Sequence, residues 1–228
     1  LIQDDAYLTD AEDFHPATIE AFRSQYGTTP DPPAFKADRS LADKWTRLKI
    51  ETLDTQVAGL AATVRNYRPG ALIARNIYSK PLTDPESAKW FAQDFNRYLK
   101  QYDLAVVMAY APMEGESNSK EWYRKLFKAA GGEETASKVL FKLQSHDWKN
   151  KRWLSDTDLK AEMTFLLSLG ARHIAYYPDN LFQNRPDPET ISPVISARYQ
   201  ARLKPSPPVK DAGNFLERFF RWLFPGNF

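Results

Sequence analysis

Leu104-Ala-Val-Val-Met-Ala-Tyr-Ala111 carries eight residues without a charge or a break in apolar character. A half-wet strand alternates polar and apolar side chains. An unbroken run is buried on both faces, as in parallel sheets flanked by helices. Residues 71–77 (Ala-Leu-Ile-Ala-Arg-Asn-Ile), 138–144 (Lys-Val-Leu-Phe-Lys-Leu-Gln) and 173–177 (His-Ile-Ala-Tyr-Tyr) read in the same way, and Leu1-Ile2 reads as the tail of another strand.

Helical patterns fill the intervals. Residues 15–26 look helical, with Pro16 in the first turn. A Pro-rich loop is expected over 28–33. Leu41, Trp45, Leu48, Leu53, Val57, Leu60 and Val64 recur at helical spacing and predict a long helix over 40–67. Asp84 is placed to cap a helix through residue 100. Further helices are expected over 119–130, over 155–169 (capped by Ser155 or Asp156, stopped by Gly170) and over 188–203. Strand and helix therefore alternate. No Gly-x-Gly-x-x-Gly or P-loop follows any strand, which removes the main support for a nucleotide-binding doubly wound sheet. The expectation is an α/β fold of the TIM-like (β/α) barrel kind. Four strands and the end of a fifth fall short of eight, so the first β/α units are expected upstream of Leu1. Residues 1–204 are assigned to the later part of the barrel. Residues 205–228 are read as a Pro-rich linker with an aromatic amphipathic segment.

Composition bounds the function. The chain has 228 residues, enough for one large core. A net charge of +2 gives no electrostatic reason to expect a nucleic-acid partner. Without cysteine there are no disulfides, thiolate nucleophiles or Cys-bound zinc. His15, His146 and His173 are too scattered for a His-metal site, and carboxylate metal binding stays open; no cofactor is expected. No Gly-x-Ser-x-Gly elbow, secretory signal or apolar run of membrane-spanning length is present. Aromatic residues are 14% of the chain, which suits either a sugar cleft or a large aromatic core.

In such barrels the chemistry sits at the C-terminal strand ends. In order, those ends deliver Gln3, Asp4 and Asp5; Arg75, Asn76 and Tyr78; Tyr110, Met113 and Glu114; Gln144, His146, Asp147 and Trp148; and Tyr176, Tyr177, Asp179 and Asn180. Amides and acids suit hydroxyls and amines, rings suit pyranose faces, and paired carboxylates suit acid/base work on a glycosidic bond. Adjacent acids such as Asp4 and Asp5 are also ordinary turn chemistry. Tyr176 and Tyr177 must face opposite ways, so at most one lines the barrel mouth.

Asp-Asp-Ala-Tyr-Leu-Thr-Asp at 4–10, Arg75-Asn76-Ile77-Tyr78, Trp90-Phe91-Ala92-Gln93 and Val106-Val107-Met108-Ala109-Tyr110 with Met113-Glu114 resemble the C-terminal hydrolase domains of PgaB proteins, glycoside hydrolase family 153. The resemblance runs from Leu1 to about Arg198. It implies a (β/α) barrel that cleaves partially deacetylated poly-β-1,6-N-acetyl-D-glucosamine, a biofilm exopolysaccharide. It also implies a periplasmic, outer-membrane-associated setting, an upstream deacetylase domain and an outer-membrane export porin as partners. The family's acidic motif falls on Asp4, Asp5 and Asp10. Asp5 is assigned as the acid with Asp4 coupled to it, because a neighbouring carboxylate helps one carboxyl keep its proton; the pair titrates as a unit, so either can be the one that holds it. Asp10 is a candidate second carboxylate or amine-binding group, or else loop chemistry, and Glu114 is the other candidate for nucleophile or base. Asn76, Tyr78, Tyr110, Gln144, Trp148, Tyr176 and Asp179 are the expected sugar contacts. The rival reading is a non-catalytic module that guides the polymer to the porin. Residues 214–224 are read either as a helix docked on the barrel or as a contact with an export partner or membrane surface through Arg218, Arg221 and the neighbouring aromatics.

Overall fold

The structure, a computed structural model, describes residues 1–3, 7–116 and 119–199, with side chains described to residue 195. Asp4 and Asp5 lie outside the described residues, as do the expected 204/205 division and the aromatic segment beyond it. The chain divides into two compact units, Leu1–Ile191 and Ser192–Phe228. All the described strands belong to the first.

The chain begins with α1 (Pro16–Tyr26), α2 (Pro32–Ala37) and α3 (Arg39–Tyr67). Then come β1 (Ala74–Tyr78), the short helices α4 (Lys80–Thr83) and α5 (Ala88–Phe91), α6 (Phe95–Gln101) and β2 (Leu104–Ala109). Helices α7 (Ala111–Glu114) and α8 (Ser119–Ala129) lead to β3 (Val139–Gln144) and to a small hairpin of β4 (His146–Asp147) and β5 (Arg152–Trp153). Helix α9 (Asp156–Ser168), β6 (His173–Tyr177) and α10 (Pro188–Tyr199) complete the order. No described helix is long and apolar enough to cross a membrane.

Strands β1, β2, β3 and β6 pair in that order, all parallel. Ile2 adds a parallel bridge to Arg75 on the outer edge of β1, with Ile2 N donating to Ala74 O at 2.7 Å and Asn76 N donating to Ile2 O at 3.0 Å. Chain order equals spatial order with helices between, the pattern of consecutive β/α units in a barrel wall. The described strands form an open arc of that wall.

Two local readings are corrected. The expected helix over 84–100 is broken. Asp84 does cap the first turn, accepting from Glu86 N at 3.2 Å, but Ala92 turns left-handed at φ 49° and Asp94 caps a fresh helix. The break buries Ala92 and carries Gln93 to the sheet, where its Oε1 accepts from Tyr78 N at 3.0 Å. The Pro-rich loop also contains α2, because Pro32 and Pro33 fill first-turn positions where no N–H is needed.

Much of the aromatic content is core. Trp45 stacks on Phe14 (5.0 Å) and Phe35 (5.8 Å) and meets Phe22 edge-on, which fixes the first two helices on α3. Below them Lys49 is 1% exposed, and its ammonium donates to the carbonyls of Thr9 and Lys89. Burial pulls its pKa from 10.5 down to about 8, against the opposing pull of Asp10 and Glu12. Between those two values the unfolded chain holds a proton that the folded chain has shed, so stability rises with pH across the window. Lys49→Met should remove that rise. The difference between the two proteins' unfolding free energies at pH 7.5 and pH 10 should reach roughly 2 kcal/mol. Parallel urea titrations at the two pH values check it.

Candidate active site

At the C-terminal ends of β1, β2, β3 and β6 the structure forms a cavity of about 430 Å³. Register explains its lining. Tyr78, Met108 and Lys142 align across β1, β2 and β3 and share the inner face of the sheet. One step higher, Gln144 on β3 aligns with Tyr177 on β6, and Tyr110 follows β2 at the same level. Tyr78, Met108, Tyr110, Gln144 and Tyr177 line the cavity, with Met113 of α7 and Trp148 of the hairpin loop closing two sides.

Each ring is held in place. Tyr78 stacks on Phe91 at 4.6 Å and receives Tyr7 edge-on at 5.5 Å. Trp148, 40% exposed, lies 5.4 Å from the Tyr110 ring and 6.2 Å from that of Tyr177. Its loop is shaped by Asp147, which accepts from Asn150 N at 3.1 Å and Asn150 Nδ2 at 2.6 Å. Those bonds, with Arg152 at 3.7 Å, hold the Asp147 carboxyl below the usual carboxylate range. Gln144 is fixed as well: its Oε1 accepts from Met113 N at 3.2 Å and its Nε2 donates to His146 O at 2.6 Å. Tilted rings around a partly open cavity give flat apolar surfaces for pyranose faces, with the Gln144 amide and Lys149 also in the lining.

The structure thus brings together Tyr78, Tyr110, Gln144 and Trp148. It places the other expected residues elsewhere. Asn76 sits one step deeper than Tyr78 on the inner face. It is 2% exposed, and among the described residues neither amide atom has a hydrogen-bond partner. Tyr176 pairs opposite Leu143 on the outer face, so Tyr177 takes the position expected of Tyr176. Asp179 is exposed and lies outside the lining; its charge acts on Tyr176. Glu114 is half-buried behind the rim, where its Oε1 accepts from Ser79 Oγ at 2.5 Å. Asp10 lines a different cavity, of about 600 Å³, together with Phe35, Arg39 and Trp90. Arg75 turns away from the rim into the helix layer, paired to Asp54 at 2.8 Å. His146 lies in the hairpin, edge-on to Trp153 at 5.2 Å. Among the described residues no group of three His, Asp or Glu could hold a metal ion.

Lys142, aligned with Met108, is the buried charge that sequence reasoning passed over. It is 3% exposed on β3, one of the two inner strands, with its ammonium 5.8 Å from the Tyr110 ring centroid and 5.2 Å from that of Tyr177. The signal was available: a lysine at an inward position of an otherwise apolar strand is rare unless it works.

Residues 1–177 match the family described as hypothetical glycosyl hydrolase family 13. The poly-beta-1,6-N-acetyl-D-glucosamine N-deacetylases of Escherichia coli K12 and O157:H7 are each 31% identical to the chain over 206 residues. That alignment covers 87% of this chain and 30% of each relative, so the chain spans less than a third of their length. The solved glycoside hydrolase domain of PgaB (BpsB) from Bordetella bronchiseptica aligns with a TM-score of 0.77 and 34% identity, over 84% of this chain and 55% of that one.

Proposed function

The chain belongs to this glycosyl hydrolase family and matches the C-terminal hydrolase domain of PgaB, and from that premise we propose that it cleaves partially deacetylated poly-β-1,6-N-acetyl-D-glucosamine within the chain. The observation that carries the reading is the ring-lined cavity at the C-terminal ends of parallel strands, in a domain similar to a PgaB hydrolase. Tyr78, Tyr110, Tyr177 and Trp148 hold sugar faces. The Asp4-Asp5 pair supplies the acid, with Asp5 as donor to the glycosidic oxygen. In sequence the pair lies between Ile2, bridged to β1, and Tyr7, whose ring packs on Tyr78 of β1, so residues on both sides of it touch that strand. Glu114 and Asp10 are the proposed second carboxylates. Glu114 is the nearer to the rim, since Met113 beside it lines the cavity. Deacetylated units carry ammonium groups, which an acidic motif attracts. The proposed setting is periplasmic and outer-membrane-associated, with an upstream deacetylase domain and an export porin as partners.

Mass spectrometry of the products from a defined, partly deacetylated oligomer tests the reading. Shortened oligomers support it, and an intact oligomer after prolonged incubation ends it. One observation favours the rival guiding module. Asp147 is engaged by Asn150 and Arg152, and Glu114 by Ser79, so both described carboxylates near the cavity already have structural bonds. A module of that kind would bind the oligomers with the same rings and leave them uncut.

A further inference from the structure

The segment that follows the acidic pair is held by α3 at three points. Leu8 packs on a cluster of Ile50 and Leu53 from α3 and Ala92 at the end of α5. Thr9 N and Oγ1 each donate to the Glu12 carboxylate at 2.9 Å, and Glu12 O accepts from Trp45 Nε1 at 3.1 Å. Lys49 stands between these anchors on α3. Its almost wholly buried ammonium donates to Thr9 O and, at 3.4 Å, to Lys89 O. Those carbonyls belong to separate supports of one ring. Thr9 comes two residues after Tyr7, which meets Tyr78 edge-on. Lys89 comes two residues before Phe91, on which Tyr78 stacks. Two ring neighbours of Tyr78 therefore hang on one ammonium. Burying that charge costs desolvation that an apolar chain of the same length would avoid, so filling space does not account for it.

We propose that Lys49 is a positioning residue: by clamping the Thr9 and Lys89 carbonyls it fixes Tyr7, and the acids just before it in the chain, against Tyr78, so that its loss costs turnover more than sugar binding. This deepens the hydrolase reading and rests on it for the role of the acids. The clamp is also sensitive to charge. A charged donor holds a carbonyl about twice as strongly as a neutral one. Burial brings the Lys49 pKa down to about 8, so the clamp is charged at neutral pH and weakens as pH rises past that value. Asp10 and Glu12 face it from the loop and favour the charged form. Lys89 keeps its own ammonium over the Trp90 ring at 5.1 Å, and Glu86 is paired to Arg39. On α3 the positions three and four residues away, Trp45, Thr46, Thr52 and Leu53, carry no charge.

Steady-state kinetics on a partly deacetylated β-1,6 oligomer at neutral pH test the proposal. A small displacement of reacting groups is expensive, so Lys49→Met should lose roughly 10–100-fold in kcat with little change in KM. Lys49→Arg should recover most of kcat, because a guanidinium can still donate to both carbonyls. A wild-type kcat in Lys49→Met, or a loss carried wholly by KM, overturns the proposal. A second readout needs no cleavage. The carbonyl ¹³C shifts of Thr9 and Lys89 report the clamp, and the nuclear Overhauser contact between the Tyr7 and Tyr78 rings reports what it holds. In the wild-type protein both carbonyl signals should move together as pH crosses about 8, and the ring contact should weaken with them. Carbonyls that titrate apart, or a ring contact unchanged well above that pH, overturn it. If Lys49→Met does not fold, this titration decides. If the wild-type protein leaves the oligomer intact, the hydrolase reading falls, and the same titration decides alone whether Lys49 positions the segment.

Discussion

Asp5→Asn is expected to abolish cleavage of the polymer while leaving the binding of glucosamine oligomers largely intact. The reason lies in what the cleavage step requires. The leaving oxygen must receive a proton as the bond breaks, and an amide cannot supply one. Loss of a positioned general acid removes about 10³-fold or more of the rate. On the proposed reading, binding draws on the rings of Tyr78, Tyr110, Tyr177 and Trp148 that line the cavity. Asp4→Asn should act differently. On the proposed reading it removes the negative neighbour of the acid, so the rate maximum should move to lower pH. Initial rates of reducing-end release across pH, with calorimetric affinities for the same proteins, separate the two cases. Equal rates for Asp5→Asn and wild type would remove Asp5 from the mechanism. A joint loss of rate and affinity would make it a binding group instead.

The fold was legible because its strongest signals are local. The uncharged run 104–111 can be satisfied only by burial on both faces, and β2 is the second of four parallel strands. The long apolar stripe through Trp45, Leu48, Leu53 and Val57 became the buried face of α3. The break at Ala92 was not legible in this way. Residues 84–100 keep good helical chemistry throughout. What interrupts them is a distant demand, a hydrogen-bond acceptor for Tyr78 N, met by Gln93 fifteen residues later. Tertiary demands of this kind override local propensity without leaving a mark on it.

The site was legible by strand end and illegible by face. Counting to the end of each strand named Tyr78, Tyr110, Gln144 and Trp148, and all four line the cavity. Which of two adjacent residues points inward depends on register, and one step of register reverses the answer. Tyr176 and Tyr177 exchanged roles for that reason alone, and Arg75 turned out beside Asn76 turned in. Gln144 shows a second limit. An amide at a strand end looks available to a sugar hydroxyl, yet this one ties α7 to the hairpin through Met113 and His146.

Arg75 leads to the largest stability effect expected in the molecule. Its guanidinium is almost wholly buried between β1 and α3, donating to Asp54 Oδ1 at 2.8 Å and to the Tyr102 hydroxyl at 2.9 Å. Its face lies 4.6 Å from the Tyr98 ring, while Nε and Nη2 have no hydrogen-bond partner among the described residues. Asp54 uses its second oxygen to accept from Arg97 Nε at 2.7 Å. The two ends of the pair are therefore not equivalent. Asp54→Ala strands a buried guanidinium that already lacks two partners, and should destabilise the protein by about 3–5 kcal/mol. Arg75→Met leaves Asp54 with Arg97 and puts an apolar chain against two tyrosine rings. Its cost should be smaller, roughly 1–2 kcal/mol, because removing the less well satisfied charge also removes its desolvation penalty. Urea unfolding at neutral pH measures both. Equal losses from the two substitutions would mean that the attraction between the charges, and not the stranding of one of them, sets the stability of this layer.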